Sequence, residues 1–203
     1  AAAYYGGGVF SNTLVSSVII GNTVGTSGGG TYASTLKNCA LLSNRVSSVS
    51  GLGGGSYNGA LTNCTVAGNT ADRGGGVYGF STTPVINSIL WSNSSVTSGS
   101  NYSGSLTARY VCSAPLPTGT GNISSDPRWM GDSIHLTAGS PCRGVGTSLY
   151  LVGQDIDGQS WSNPPSMGCD EWIAAPTFIS LPEIMPGPQG QLQIATLPAA
   201  GQD

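Results

Sequence analysis

The fold is decided by residues 53–69, which read Gly-Gly-Gly-Ser-Tyr-Asn-Gly-Ala-Leu-Thr-Asn-Cys-Thr-Val-Ala-Gly-Asn. Both halves of this stretch recur along the chain. The first half is a Gly-Gly-Gly-x-aromatic phrase, and its four copies start 22, 25 and 21 residues apart, at residues 6, 28, 53 and 74. The second half recurs without gaps at residues 14–22, 36–44, 61–69 and 85–93. Such a period indicates one small structural unit that is used several times.

The second half of the repeat aligns like residues in columns. The columns are Leu14, Leu36, Leu61 and Val85; Ser17, Cys39, Cys64 and Ser88; and Ile19, Leu41, Val66 and Leu90. Small or apolar residues two positions apart are typical of a strand that buries one face. The step of three residues from Leu61 to Cys64 breaks this alternation and predicts a bend at Asn63 and at its equivalents.

The period of 21–25 residues is too short for helix-pair repeats and fits one turn of a β-solenoid. About 23 residues at about 3.3 Å each give a loop roughly 70 Å around, and coils stacked about 4.8 Å apart hydrogen-bond to one another. The sequence therefore predicts an all-β fold, a parallel β-helix with 21–25-residue coils, followed by an irregular C-terminal cap and a tail.

Stacked coils turn two of the columns into ladders of side chains. The predicted aromatic ladder consists of Phe10, Tyr32, Tyr57 and Tyr78, and the predicted asparagine ladder consists of Asn22, Asn44, Asn69 and Asn93. Asparagine suits a tight corner because it tolerates left-handed backbone angles and its amide can pair with the amide above. The three tyrosines also leave open a strip that stacks on carbohydrate, although ladder packing explains their spacing without a ligand.

Two parts of the chain resemble bacterial surface proteins. Residues 68–78, Gly-Asn-Thr-Ala-Asp-Arg-Gly-Gly-Gly-Val-Tyr, resemble the repeat of polymorphic outer membrane proteins, a likeness that covers about residues 1–95. The phrases Asp126-Pro-Arg-Trp, Gly139-Ser-Pro-Cys, Asp155-Ile-Asp-Gly and Gly168-Cys-Asp-Glu are similar to the C-terminal part of choice-of-anchor Q proteins, which are exported, pectate-lyase-like β-helices. The resemblance implies a right-handed helix, a last coil and a bacterial surface location, but no particular activity.

The loss of the repeat divides the chain into three predicted parts. Residues 1–125 are predicted to form β-helix coils, with irregular coils and longer loops from residue 96. Residues 126–173 are predicted to form the closing coils and a cap. Residues 174–203 are rich in proline and are predicted to be an extended tail, the start of a following domain or a strand used in assembly.

Charge and composition exclude several functional classes. Six basic and nine acidic residues give a net charge of −3. This excludes a strongly basic surface for nucleic acid and a polybasic patch for a membrane surface. No apolar run approaches the length of a membrane span. The ionisable residues on the four regular coils are Lys37, Arg45, Asp72 and Arg73, apart from tyrosines and cysteines. Because glycosidases use a pair of carboxylates, this argues against an enzyme site on the coils.

The C-terminal part carries the candidate chemistry. Asp155-Ile-Asp-Gly resembles part of a calcium loop, but the other ligands are missing, so we expect carboxylates that cap backbone amides, with calcium at Asp155 and Asp157 as the alternative. His135 is the sole histidine, and no Ser or Cys nucleophile motif surrounds it. The sequence therefore gives little support for a catalytic triad. The lack of a Cys-x-x-Cys pair and of a suitable histidine predicts no zinc site.

The five cysteines fall into separate groups. Cys39 and Cys64 share a column and are predicted to be buried thiols, although stacked neighbours also meet disulfide distance limits. Cys142 and Cys169 lie in the predicted cap, where a disulfide would help a coil that lacks a neighbour and would fit an oxidising compartment. Cys112 is left without a partner.

These observations predict a secreted or surface-displayed bacterial module with a structural role: a stalk, an adhesin segment, a surface-layer element or a filament subunit. The chain begins close to a coil without a capping helix, so we expect self-association through uncapped ends, with the tail adding a strand to a neighbour. The alternative is a polysaccharide-active enzyme or a carbohydrate-binding protein.

Overall fold

The computed structural model describes residues 4–173, 185–186 and 192–193, and almost all of its regular structure is β. Two compact units, residues 1–172 and 173–203, divide the chain. The described strands are β1 (Val9–Phe10), β2 (Thr13–Val15), β3 (Val18–Ile20), β4 (Thr23–Val24), β5 (Thr31–Tyr32), β6 (Thr35–Lys37), β7 (Ala40–Leu42), β8 (Arg45–Val46), β9 (Ser56–Tyr57), β10 (Ala60–Thr62), β11 (Thr65–Ala67), β12 (Thr70–Arg73), β13 (Val77–Ile86), β14 (Ile89–Trp91), β15 (Ser94–Ser98), β16 (Tyr102–Arg109), β17 (Cys112–Ser113), β18 (Met185–Pro186) and β19 (Leu192–Gln193). A single turn of 3₁₀-helix at Ser148–Tyr150 is the helical element of the described residues, and none of them forms a helix long and apolar enough to cross a bilayer.

The strands of the first unit stack into three parallel sheets that wind a β-solenoid of about four turns. The first sheet holds β1, β5, β9, β13 and β16 together with β2, β6 and β10; the second holds β3, β7, β11, β14 and β17; and the third holds β4, β8, β12 and β15. Each strand pairs with its equivalent one coil away, as Leu61 pairs with Leu36 and Val66 with Leu41. The predicted all-β fold, a parallel β-helix, is therefore confirmed. In the second unit, β18 and β19 pair antiparallel.

The coils turn at residues with left-handed backbone angles, and in the third coil these residues are five positions apart. They are Gly53, Asn58, Asn63 and Gly68, with φ values of 66°, 50°, 49° and 67°. The bend predicted at Asn63 is confirmed. At the next corner the residue in the left-handed region is Gly68 rather than Asn69, and Ser43 and Ser92 adopt the same conformation at the equivalent positions. The ladder asparagine therefore does not make the turn itself, contrary to the expectation from its tolerance of left-handed angles.

The interior of the solenoid is a column of aliphatic side chains and thiols. Leu36, Leu61, Cys64 and Val66 are fully buried, and they pack with their equivalents in neighbouring coils. Glycines bring the backbones close together at the start of each coil. A Cβ on Gly55 would lie 2.8 Å from the carbonyl oxygen of the next coil, closer than real Cβ contacts. The Gly triplets therefore mark places where neighbouring coils lie too close together for a Cβ.

Residues 126–172 do not add the closing coils that the sequence predicts. No strand is present within this range, and the segment packs against the side of the solenoid instead of continuing its axis. The backbone N–H of Cys169 donates to Oγ1 of Thr65 at 3.1 Å, and Gly168 donates to the carbonyl of Asn87 at 2.8 Å. The segment covers the outer face of the second sheet, which explains why Ala40 and Ala67 are buried although they lie on that face.

Candidate functional site

The asparagine ladder forms as predicted, at the corner between the second and third sheets. Oδ1 of each acceptor asparagine receives two hydrogen bonds from the asparagine one coil earlier, one from its backbone N–H and one from its Nδ2. Asn44 donates to Asn69 at 2.8 and 3.0 Å in this way. The second Nδ2 proton of Asn69 goes to the carbonyl of Leu41 at 2.8 Å. Asn69 is fully buried, and these bonds avoid the cost of burying a free amide.

The ladder has a direction, since donors lie in one coil and acceptors in the next. Asn101 continues it beyond the predicted four members by accepting the N–H and Nδ2 of Asn93 at 3.1 Å each. Its own Nδ2 then donates to the carbonyl of Ala114 at 2.8 Å. At the opposite end, no donor in the described part of the chain reaches Oδ1 of Asn22. The first coil thus keeps a free acceptor at this corner.

The aromatic ladder also forms as predicted, along the outside of the first sheet. The ring centroids of Phe10 and Tyr32 are 5.2 Å apart, those of Tyr32 and Tyr57 are 4.7 Å apart, and those of Tyr57 and Tyr78 are 5.7 Å apart. The rings lie within 12° of parallel. Because the faces of the inner rings are covered by their neighbours, the strip presents ring edges and hydroxyls to solvent.

A second asparagine column, at the bends that the sequence predicts, attaches the C-terminal segment to the solenoid. Asn38 donates through Nδ2 to the carbonyl of Val152 at 2.7 Å. Asn87 donates to the carbonyl of Thr147 at 2.8 Å and accepts the N–H of the same residue at 2.9 Å. Asn63 joins the column by donating to Oδ1 of Asn38. The left-handed turn at these positions exposes the amide to the neighbouring segment.

All five cysteines are free and buried thiols, so the predicted disulfide between Cys142 and Cys169 is wrong. Cys142 packs with Cys112 in one apolar cluster, whereas Cys169 packs with Ala40 and Ala67 in another. The segment lies along the side of the solenoid, and this separates the two residues. The prediction of thiols at Cys39 and Cys64 is confirmed. Burial raises the pKa of Cys169 to about 12, which keeps this thiol protonated and unreactive.

The Asp-x-Asp-Gly phrase forms a capped turn. Oδ1 of Asp155 accepts the backbone N–H of Asp157 at 3.0 Å and that of Gln159 at 2.7 Å. Its Oδ2 accepts the N–H of Glu171 at 3.0 Å. Asp155 is 1% exposed, and both of its oxygens are engaged by amides. This is the capping role that the sequence favours, and it leaves Asp155 poorly placed to bind calcium beside Asp157.

His135 lies between two aspartates contributed by different turns. Its Nδ1 contacts Oδ2 of Asp132, and its Nε2 lies 2.7 Å from Oδ2 of Asp157. Burial lowers the pKa of His135, but the hydrogen bonds to Asp132 and Asp157 outweigh burial and raise this pKa to about 8. Asp170 completes the group: its Oδ2 accepts the N–H of Leu136 at 2.8 Å, and burial raises its pKa.

We call His135, Asp132, Asp157 and Asp170 the histidine–aspartate cluster. Sequence reasoning missed it, and the signals present were the three-residue spacing from Asp132 to His135 and the second aspartate of the Asp155-Ile-Asp-Gly phrase, Asp157. The arrangement is not a catalytic triad. In a triad one imidazole nitrogen faces a carboxylate and the other faces the nucleophile, whereas both nitrogens of His135 face carboxylates.

A shallow groove beside the third sheet is a weaker candidate. Its lining includes Arg45, Thr70 and Asp72 together with apolar side chains such as Val96. The carboxylate of Asp72 is already engaged, because it accepts the hydroxyl of Thr97 at 2.6 Å. The groove offers no second carboxylate among its described lining residues for acid–base chemistry on a glycosidic bond.

No family model, curated protein or solved structure matches this chain. The resemblance to polymorphic outer membrane proteins and to choice-of-anchor Q proteins therefore stays a prediction. The fold and the contacts within it carry the functional argument.

Proposed function

We propose that this chain is an extracellular, non-enzymatic structural module of a bacterial surface or secreted protein, used as a stalk, adhesin segment or filament subunit. One observation carries the proposal. The buried asparagines at one corner of the regular coils join each coil to the next. A rod held together by repeated contacts along its axis transmits position and force, which is the task of a scaffold.

The chemistry of the coils supports the same proposal. The regular coils carry four charged side chains, of which only Asp72 is a carboxylate; the others are Lys37, Arg45 and Arg73. A polysaccharide-cleaving site needs clustered carboxylates or a bound calcium ion. The C-terminal carboxylates of Asp155 and Glu171 are buried and accept backbone N–H groups, so they act as structural caps.

The first coil supports association with a second copy. Strands β1 to β4 end their sheets, so each has one side without a described partner strand. Phe10, Val18 and Ile20 are exposed by half or more on this coil, at 57%, 50% and 60%. The free Oδ1 of Asn22 would accept donors from an added coil. Unpaired strand edges with exposed apolar side chains are templates for strand addition.

Electron microscopy and sedimentation of the purified chain over a wide concentration range test self-association. We expect particles longer than one solenoid, formed by end-to-end stacking. Replacing Ile20 with Lys places a charge at the edge and is expected to return the protein to monomers, whereas Val49→Lys, at an exposed residue away from the edge strands, is the matched control. Monomers alone at every concentration would contradict self-association.

An activity and binding screen separates the module from the carbohydrate alternative. Polyuronides incubated with the protein, with and without calcium, are expected to stay intact, and the appearance of cleavage products would overturn the non-enzymatic assignment. Binding of a polysaccharide that is lost in Tyr57→Ala would favour a carbohydrate-binding role for the aromatic ladder instead.

A further inference from the structure

The histidine–aspartate cluster brings together a donor set that fits a metal ion. One ligand atom each from His135, Asp157 and Asp170 lies within 4.8 Å of the other two. In tetrahedral coordination, two ligands at about 2.1 Å from one ion are about 3.4 Å apart. Metal binding would therefore widen the 2.7 Å contact between His135 and Asp157 and bring the most distant pair closer by at most about 1.4 Å. The Asp157 side chain is 41% exposed, so it has room to move.

The hydrogen bond at Nδ1 orients the imidazole for coordination. In the neutral imidazole whose Nδ1–H donates to Asp132, Nε2 has a lone pair facing Asp157; in the imidazolium, Nε2–H donates to Asp157, and a metal ion would take the place of that proton. An acceptor nitrogen and a carboxylate cannot share a bond unless a proton or a cation lies between them. A carboxylate on the far nitrogen is the usual support of a metal-bound histidine, because it fixes the tautomer and raises the basicity of the ligand.

Asp170 is the most buried of the three candidate ligands. This residue is 4% exposed, and its Oδ2 accepts the N–H of Leu136. No donor within the described residues reaches its Oδ1, which is not fully buried and so stays accessible to solvent or to an ion. Buried carboxylates are stable when both oxygens are paired or when they coordinate a metal.

The charge around the cluster is negative. Asp132, Asp157 and Asp170 surround a single imidazole, and the ion pairs of the described chain place no Lys or Arg against any of them. A divalent cation would balance two of these charges. Imidazole nitrogen with carboxylate oxygen suits first-row transition metals such as Zn²⁺, whereas Ca²⁺ takes oxygen ligands almost exclusively.

We infer that His135, Asp157 and Asp170 form a binding site for one divalent transition-metal ion, with Asp132 as the residue that positions the histidine. This assignment replaces the sequence-based expectation of no zinc site and moves the candidate metal away from Asp155. The ion would join the turn at residues 132–136 to the turns at residues 155–157 and 169–171, and so would hold the C-terminal segment together.

Calorimetric titration of the chelator-treated full chain with ZnCl₂ tests the site. We expect one Zn²⁺ per chain in the wild-type protein. His135→Gln and Asp157→Asn are expected to reduce the affinity at least tenfold, and Asp132→Asn to weaken it roughly 10–100-fold, as supporting carboxylates do. Asp126→Asn is the matched control, because Asp126 caps a turn outside the cluster, and it is expected to bind like the wild type.

Two further readouts distinguish this site from cysteine coordination and from a calcium site. Substitution with Co²⁺ is expected to give a spectrum of nitrogen and oxygen ligands, and a thiolate charge-transfer band would place the ion on cysteines and overturn the proposal. Titration with CaCl₂ is expected to show no binding that depends on His135. Absence of stoichiometric Zn²⁺ binding, or binding unchanged in both His135→Gln and Asp157→Asn variants that keep the wild-type circular dichroism, would also overturn it.

Discussion

Asn69 donates both its backbone N–H and its side-chain Nδ2–H to one oxygen, Oδ1 of Asn93, at 2.9 Å each. The contact joins residues one coil apart, and the equivalent contact recurs in the neighbouring coils. Because the acceptor is used twice, each asparagine fixes both the side chain and the backbone of the coil before it. The ladder therefore sets the register of the solenoid at the corner between the second and third sheets.

The first prediction concerns this register. In Asn69→Ala, the N–H and Nδ2 of Asn44 lose their shared acceptor inside the protein. Since an unsatisfied buried donor costs about 1–3 kcal/mol, we expect a loss of at least about 2 kcal/mol in the free energy of unfolding. Urea denaturation, with the midpoint compared at unchanged slope, measures this loss.

Asn22→Ala is the matched control for that measurement. Asn22 ends the ladder, no described donor reaches its Oδ1, and Oδ1 of Asn44 keeps the backbone N–H of residue 22 after the substitution. We expect this variant to lose less than about 1 kcal/mol. Equal losses in the two variants would show that the ladder does not act through its buried acceptors.

The coil architecture was predictable because each repeat places the same residue in the same environment. The columns at Leu61, Val66 and Asn69 were correct, since parallel in-register stacking is the arrangement that lets like residues meet. The corner was predictable only in part. Asn63 and Gly68 both have left-handed backbone angles. The sequence alone did not show that Gly68 makes the turn while Asn69 makes the ladder hydrogen bonds.

The C-terminal segment was not predictable in the same way. The contact between Asn38 and Val152 spans 114 residues and occurs between a repeating and a non-repeating part of the chain. No column indicates such a pairing, so a cap at the end of the solenoid was the default expectation. The histidine–aspartate cluster depends on this docking, because it joins residues from separate turns of that segment.

A second prediction tests the close approach of the coils. A Cβ at residue 55 would lie 2.8 Å from the carbonyl oxygen of Gly76 and 2.8 Å from Cγ1 of Val66. Neither a backbone carbonyl nor a β-branched core residue can move away easily, so we expect Gly55→Ala to lower the thermal midpoint, at a cost of about 1–3 kcal/mol. Gly131→Ala is the control, because a Cβ there meets nothing within 4 Å. An unchanged midpoint for Gly55→Ala would contradict the described stacking.

A third prediction concerns the thiols. Cys39, Cys64, Cys112, Cys142 and Cys169 are buried and free. We expect a thiol reagent to label none of them in the native protein purified under reducing conditions and to label all five after denaturation. Prompt labelling of a thiol in the native state would contradict its burial.

Oxidation gives a sharper test of the corrected pairing. The thiol of Cys112 lies beside that of Cys142, and the thiol of Cys39 lies beside that of Cys64. Mass-spectrometric mapping after controlled oxidation of the folded protein is expected to find bonds within these two pairs. A bond between Cys142 and Cys169 would require the C-terminal segment to pack differently.

The last prediction uses the aromatic ladder. Burial, together with the neighbouring hydroxyls of Tyr32 and Tyr78, raises the pKa of Tyr57 above its usual value of 10. Near pH 10 the unfolded chain releases the Tyr57 proton, whereas the folded chain still holds it. The free energy of unfolding therefore decreases as the pH rises above 10. We expect the urea midpoint to fall over this range, and to fall less in Tyr57→Phe, which keeps the stacked ring but removes the ionisable hydroxyl. Tyr150→Phe, outside the ladder, should behave like the wild type, and an identical pH dependence of all three proteins would show that the stack does not resist ionisation.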